Sequence, residues 1–387
     1  MKDPHAMAWT AISTRYETPP PIVRGGWLDA LRFIVASLIV LHHFQAAGPY
    51  ALAETVHPVF ERGGFLLTNF FLIDSGYVLM RVYGGQLATG RMTGADFFLK
   101  RVLRVLPAHL MMGLGLAALV LVGGAFGFAP RNPEWFRWDQ LPAQLTLTQS
   151  LGVPGGLGWN APSWSISALI GCYLLFPWLL QILRRPGPWT ALLGVAALYL
   201  LANAVTWALL GYAVYQMPLA YGLIRALPLF VLGMALAIVS ERVFIAPRLA
   251  RITLLSAAIG LATVQAFDKH ALLSLLFISL ILLGAGAIPV HRPSRLVERA
   301  AVMSFVLFIS NEVVRIAWFG AANVMIARLG LSETVQWGLW AAGILAAFVF
   351  AFAFNALVDQ PLQTWIKDRL SRRRRAPAER QAVSLES

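Results

Sequence analysis

Ten stretches of this chain are apolar for long enough to cross a bilayer. They cover residues 27–46, 65–83, 105–128, 163–183, 189–211, 218–240, 250–267, 271–289, 301–323 and 335–358. A hydrocarbon core about 30 Å thick takes about 20 residues of helix to span. No water inside it can satisfy a backbone N–H or C=O, so each stretch must close its own hydrogen bonds as a helix. The expected fold is an all-α polytopic membrane protein with about ten transmembrane helices. Only 13% of its residues are charged, against about 25% in soluble domains, which excludes a soluble protein with one anchor.

The charges orient the spans. With the N-terminus inside, cytoplasmic segments hold 24 of the 31 Lys and Arg, counting Arg32. The outer loops hold Arg62, Arg131, Arg137, Lys269 and Arg328, and Arg225 and Arg315 fall within spans. This asymmetry is the positive-inside pattern, and an even number of crossings then makes both termini cytoplasmic. It accounts for the net charge of +13 as topology, so no nucleic-acid partner is expected. The chain divides into a cytoplasmic tail (1–26), a membrane domain (27–366) and a basic, disordered cytoplasmic tail (367–387) expected to lie against an anionic leaflet. The first 26 residues have no apolar run for a cleavable signal peptide. The lone Cys172 excludes an internal disulfide or a multi-cysteine metal site, and no metal is expected. A long outer loop, 129–162, is rich in Pro, Gly and Trp and is expected to fold as a roof over a cavity. A second long loop, 84–104, is expected on the cytoplasmic side.

Polar residues inside the spans are the functional candidates, because lipid makes them expensive. In Leu28 to Phe44, Arg32 and His43 are eleven residues apart. On a helix that is three turns plus about 20°, so they share a stripe, separated by about 16 Å along the axis. His43 either bonds a neighbouring carbonyl or serves as a proton acceptor. Asp74, in the second span, is either protonated against its helix or paired with a cation or an imidazole. A carboxylate beside His43 could hold its tautomer. Gly76 would let another helix come close. Arg101 and Arg104 share a helix face at a cytoplasmic boundary; they are either a phosphate grip or an ordinary basic flank. Asn160, Trp164 and Ser165 open the fourth span and read either as a helix start with an interfacial Trp or as a site for a sugar hydroxyl or oxyanion. Glu312 and Arg315, three apart, read as a helix ion pair.

Taken in order, these pieces resemble the acyltransferase-3 family of integral-membrane O-acyltransferases. Arg32 and His43 match its first-helix Arg and His. Phe71-Leu72-Ile73-Asp74-Ser75-Gly76-Tyr77 resembles its FFxxSGF segment, and Arg101 with Arg104 its Arg-x-x-Arg. Asn160 to Ser167 resembles its N-x-PSWSIS, with Tyr173 and Pro177 following. Arg225, Phe230 and Gly233, then Val358-Asp359-Gln360-Pro361, resemble its later motifs. The match runs from about Trp27 to Ile366. Three positions depart from the family: Leu169 and Leu229 stand where it has Glu, and Asn311 where it often has His. Asp74 is the carboxylate left for a catalytic role.

The resemblance implies a multi-pass protein of a bacterial cytoplasmic (inner) membrane. It would move a short acyl group, acetyl foremost, from acyl-CoA to a hydroxyl of a cell-surface or exported glycan, or of a glycosylated small molecule. No cofactor would be bound permanently; acyl-CoA (acetyl-CoA) is the co-substrate. Arg32, Arg101 and Arg104 would hold its phosphates, His43 would be the base with Asp74 as helper, and Asn160, Trp164 and Ser165 would shape the acceptor end. A covalent acyl-enzyme on Ser75 or Ser165 is the alternative to direct transfer. The rival reading is a transporter or flippase-like protein, or a catalytically silent glycan-binding relative. The lack of internal repeats argues against the transporter.

Overall fold

Every one of the ten apolar stretches is helical in the computed structural model, which describes residues 12–13, 21–128, 130, 132–153, 158–267 and 271–370 (backbone alone for 12–13, 50–65 and 271). Arg131, Lys269, the tail after 370 and most of the first 20 residues lie outside the described residues. The helices are α1 (Trp27–Phe44), α2 (Tyr50–Ala88), α3 (Gly94–Ala125), a short α4 (Leu141–Leu145), α5 (Trp164–Leu183), α6 (Pro188–Leu210), α7 (Gly222–Arg242), α8 (Pro247–Phe267), α9 (Ala271–Ala287), α10 (Arg295–Leu329) and α11 (Glu333–Phe354). Beyond Phe354 the last helix passes through a π turn, Asn355–Asp359, and continues to residue 370. The strand pairing among the described residues is two residues long, Ile12–Ser13 against Phe244–Ile245.

Among the described residues eight helices are long and apolar enough to cross a membrane. The other two expected crossings are α2 and α9. Asn69 and Asp74 interrupt the apolar run of α2. The 17 residues of α9 reach about 26 Å, slightly less than a hydrocarbon core. The expected cytoplasmic loop 84–104 is instead mostly helix, with α2 ending at Ala88 and α3 starting at Gly94. Thr93 starts α3 as its N-cap, its side chain accepting from the Asp96 N–H at 3.0 Å. A Thr-x-x-Asp pattern is a start signal of this kind.

The bundle has two apolar clusters. One joins α2, α3, α5, α7 and α9 through Tyr77, Phe97, Phe176, Phe230 and Ile278. The other joins α1, α10 and α11 through Ala36, Val40, Phe44, Val306, Phe319 and Ala347. Leu28, Leu31 and Val35 of α1 pack with the first cluster, and Ala36, Val40 and Phe44 with the second. So α1 bridges the two units, its N-terminal half against one and its C-terminal half against the other. The Trp340 indole N–H donates to the Phe44 carbonyl at 3.0 Å and fastens its far end.

The tightest crossing is α2 on α7. A Cβ on Gly76 would collide with the Phe230 carbonyl, and one on Gly233 with the Ile73 carbonyl. The two glycines face each other's backbones, and dispersion between the close helices replaces a hydrophobic drive that lipid does not supply. Gly233→Ala should therefore lower stability by about 3 kcal/mol. Gly115→Ala, whose Cβ meets nothing within 4 Å, should be neutral or stabilising by up to about 1 kcal/mol. Thermal unfolding in detergent measures both; equal melting points would refute the crossing as described.

Candidate active site

Arg32 sits one turn into α1. Its Nε donates to Asp74 Oδ2 at 2.7 Å, and a terminal nitrogen donates to Asp29 Oδ1 at 3.3 Å. Asp29 Oδ2 accepts from the Gly25 N–H at 2.7 Å. One guanidinium is thus bracketed by two carboxylates, as a low-dielectric site requires. Asp74 Oδ1 is buried with no partner among the described residues.

This pairing corrects one expectation. Asp74 does not support His43: it is bound to Arg32, about 16 Å from His43 along α1, and one carboxylate cannot serve both ends. The imidazole Nδ1 instead lies 2.6 Å from Asn311 Oδ1 on α10. Arg32 and His43 share a stripe but meet different helices, because α1 leaves one packing unit for the other between them.

Arg101 and Arg104 diverge as well. Arg104 reaches both oxygens of Asp359 at 3.2 and 3.1 Å, with its guanidinium 4.9 Å from the Phe305 ring centre. Asp359 ends the π turn. Pro361 has no N–H for the Leu357 carbonyl, which relaxes the helical register at that point. Arg101 lies over the Tyr83 ring at 5.3 Å, and its Nε is buried without a partner among the described residues. Of the three expected phosphate ligands, Arg101 has no carboxylate on it among the described residues; Arg32 and Arg104 are already neutralised.

On α10, Arg315 donates to both Glu312 oxygens at 2.8 and 2.6 Å, forming the expected helix pair, next in sequence to the His43 partner Asn311. Arg315 also lines a cavity of about 890 Å³ with Ala46, Ala47, Trp135, Phe136 and Phe319. The outer loop roofs it as expected. Its anchor is Trp159, 1% exposed and held in the left-handed region at φ 56°, a conformation uncommon for a bulky residue. Its backbone N–H donates to the Trp135 carbonyl at 2.7 Å and its indole N–H to the Arg137 carbonyl at 2.8 Å. Its ring meets Phe136 and Trp138 edge-on.

Asn160, Trp164 and Ser165 do not line this cavity. All three are buried. Asn160 Nδ2 donates to the Ile309 carbonyl at 2.9 Å, Ser165 Oγ donates to the Pro162 carbonyl at 3.2 Å, and the Trp164 ring carries the Arg225 guanidinium at 4.7 Å. The segment is a polar knot that satisfies backbone groups where lipid cannot, tying the start of α5 to α10. Leu229 is fully buried and Leu169 packs against the same apolar cluster, so both family departures are core side chains here.

Residues of the cavity wall, Ala46, Ala47, Trp135, Phe136, Arg315 and Phe319, escape a motif reading. Only the aromatics of the outer loop carry a sequence signal for it. His109 is a further buried polar residue, its Nε2 donating to the Gln144 carbonyl at 2.7 Å and fastening α4 to α3.

A multi-pass helical membrane protein with an arginine held between two carboxylates near one end of α1 and an imidazole at the other defines the class. The acyltransferase-3 family model, described as an acyltransferase domain, matches residues 26–356, and the chain belongs to that family. Acyltransferase MdmB of Streptomyces mycarofaciens is 29% identical over 196 residues, 49% of this chain and 48% of that protein. The match thus spans about half the length of that relative. No solved structure matches.

The Arg32–Asp74 pair makes a definite prediction. Asp74→Leu should cost about 3 kcal/mol of stability, and adding Arg32→Met should recover most of it. Thermal unfolding of the parent, the singles and the double measures the cycle. A single variant as stable as the parent would show the pair to be incidental.

Proposed function

We propose that the protein is an O-acyltransferase of a bacterial inner membrane, both termini cytoplasmic. In this reading it moves a short acyl group, acetyl foremost, from cytoplasmic acyl-CoA to a hydroxyl of a cell-surface or exported glycan. The observation that carries the reading is α1 itself, an unbroken helix with the paired Arg32 guanidinium and the His43 imidazole about 16 Å apart. A pantetheine arm has about that reach. The phosphates rest on Arg101, with Arg32 and Arg104 sharing their charge with Asp74 and Asp359. The thioester then lies near His43, and the acceptor enters the roofed outer cavity.

Transfer is direct. The acceptor oxygen attacks the thioester carbonyl as its proton passes to the His43 imidazole. The C–S bond breaks, and the imidazolium returns the proton to the CoA thiolate. Asp74 acts through Arg32, and Asn160, Trp164 and Ser165 act by fixing the outer end of α5. The acyl group crosses the membrane while the CoA stays on its own side.

Purified protein in liposomes with acetyl-CoA and a glycan acceptor tests this. His43→Ala should lower turnover by about 10²-fold or more, and unchanged turnover would sink the assigned base. Arg101→Ala should raise the KM for acyl-CoA and leave kcat near the parent value; an unchanged KM would remove Arg101 from the phosphate site. Mass spectrometry of surface glycans from cells with and without the protein identifies the acceptor. Counter-flow of labelled glycan without acyl-CoA would favour a transporter instead.

A further inference from the structure

We infer that Asn311 is the positioning residue of His43, holding its imidazole in the tautomer that leaves Nε2 free to accept a proton. The inference rests on the role proposed above for His43.

The argument is one of hydrogen-bond polarity. An amide can be turned either way, and its surroundings decide which way it points. Asn311 Nδ2 faces the carbonyls of Leu307 and Phe308, at 3.2 and 2.5 Å, on its own helix. Both are acceptors, so the NH₂ must point at them; the opposite placement would set Oδ1 against two carbonyl oxygens. Oδ1 is therefore the atom presented to His43 Nδ1 at 2.6 Å. An oxygen without a proton can only accept, so Nδ1 carries the hydrogen of the neutral ring. The lone pair is then on Nε2; among the described residues the side-chain hydrogen bond of His43 is made by Nδ1, and Nε2 is not among the sealed, unpartnered atoms. Asn311 itself is fully buried, so solvent does not compete for the bond.

A neutral amide thus does the orienting work a carboxylate does in a Ser-His-Asp triad, but it adds no negative charge to support an imidazolium. Among the described residues, the charged and titratable groups facing His43 are Glu312 and Arg315, paired with each other on α10, and His42, with ring centres 5.4 Å apart. Glu312 and Arg315 offset one another, so Asn311 supplies orientation and not charge.

The test uses full-length protein in liposomes with acetyl-CoA and a glycan acceptor, and compares His43→Ala, Asn311→Leu and Asn311→Asp. Asn311→Leu should lose about 10²-fold or more in kcat with loss of tautomer control, with the KM for acetyl-CoA unchanged. Asn311→Asp keeps an acceptor in place and should recover most of that loss. It should also move the acid limb of the kcat–pH profile to higher pH, because its charge stabilises the imidazolium. Histidine ¹⁵N spectra supply a readout independent of activity. The His43 signal, assigned by its absence in His43→Gln, should report Nδ1–H in the parent and a growing Nε2–H fraction in Asn311→Leu. Native kcat in Asn311→Leu beside an inactive His43→Ala would overturn the inference, as would a parent spectrum dominated by Nε2–H. An active His43→Ala would fail the proposed base alone, and the spectra would still decide the tautomer.

Discussion

Lipid offers no partner to a polar group, so the ionisable side chains inside this bundle must find theirs in protein. An unpaired charge moved into a low-dielectric interior costs several kcal/mol, a large share of the stability of most folds. Arg32 meets Asp29 and Asp74, Arg104 meets Asp359, and Arg315 meets Glu312. These pairs join α1 to α2 and α3 to the last helix, so the arrangement of the helices follows from the charges as well as from apolar packing. Asn160, Ser163 and Ser167 do the same at the outer boundary by bonding to carbonyls.

Against that background the groups without a polar partner stand out. Arg101 has an aromatic ring and a buried, unbonded Nε. Arg225 has the face of Trp164 and likewise an unbonded Nε. Asn69 is buried with both amide atoms unpartnered among the described residues. Buried polar atoms are satisfied in all but a few cases, so such groups mark the places where a substrate or ordered water has something to do. Arg101 lies on α3, about two turns from its start. The 890 Å³ cavity lies at the other end, beyond His43.

The rigidity of α1 connects the two ends. Its N-terminal half packs with one apolar cluster and its C-terminal half with another, so both ends are held while the helix spans between them. A helix anchored in this way keeps a fixed separation between Arg32 and His43, and a group-transfer reaction depends on reacting atoms held in register.

The sequence alone determined the spans, their helical character and the stripe that Arg32 shares with His43, because lipid imposes length and helicity and the helix imposes its period locally. Tertiary structure decided which partner each side chain received. Asp74 went to Arg32 rather than to His43, Arg104 to Asp359 across 255 residues, and Asn311 to His43 across 268. The segment opening α5 became a structural knot rather than a cavity wall. Such pairings depend on which helix lies beside which, and helical period carries no information about neighbours. The close approach that Gly76 allows is legible from its lack of a side chain; that Gly233 lies opposite it is a property of the folded bundle.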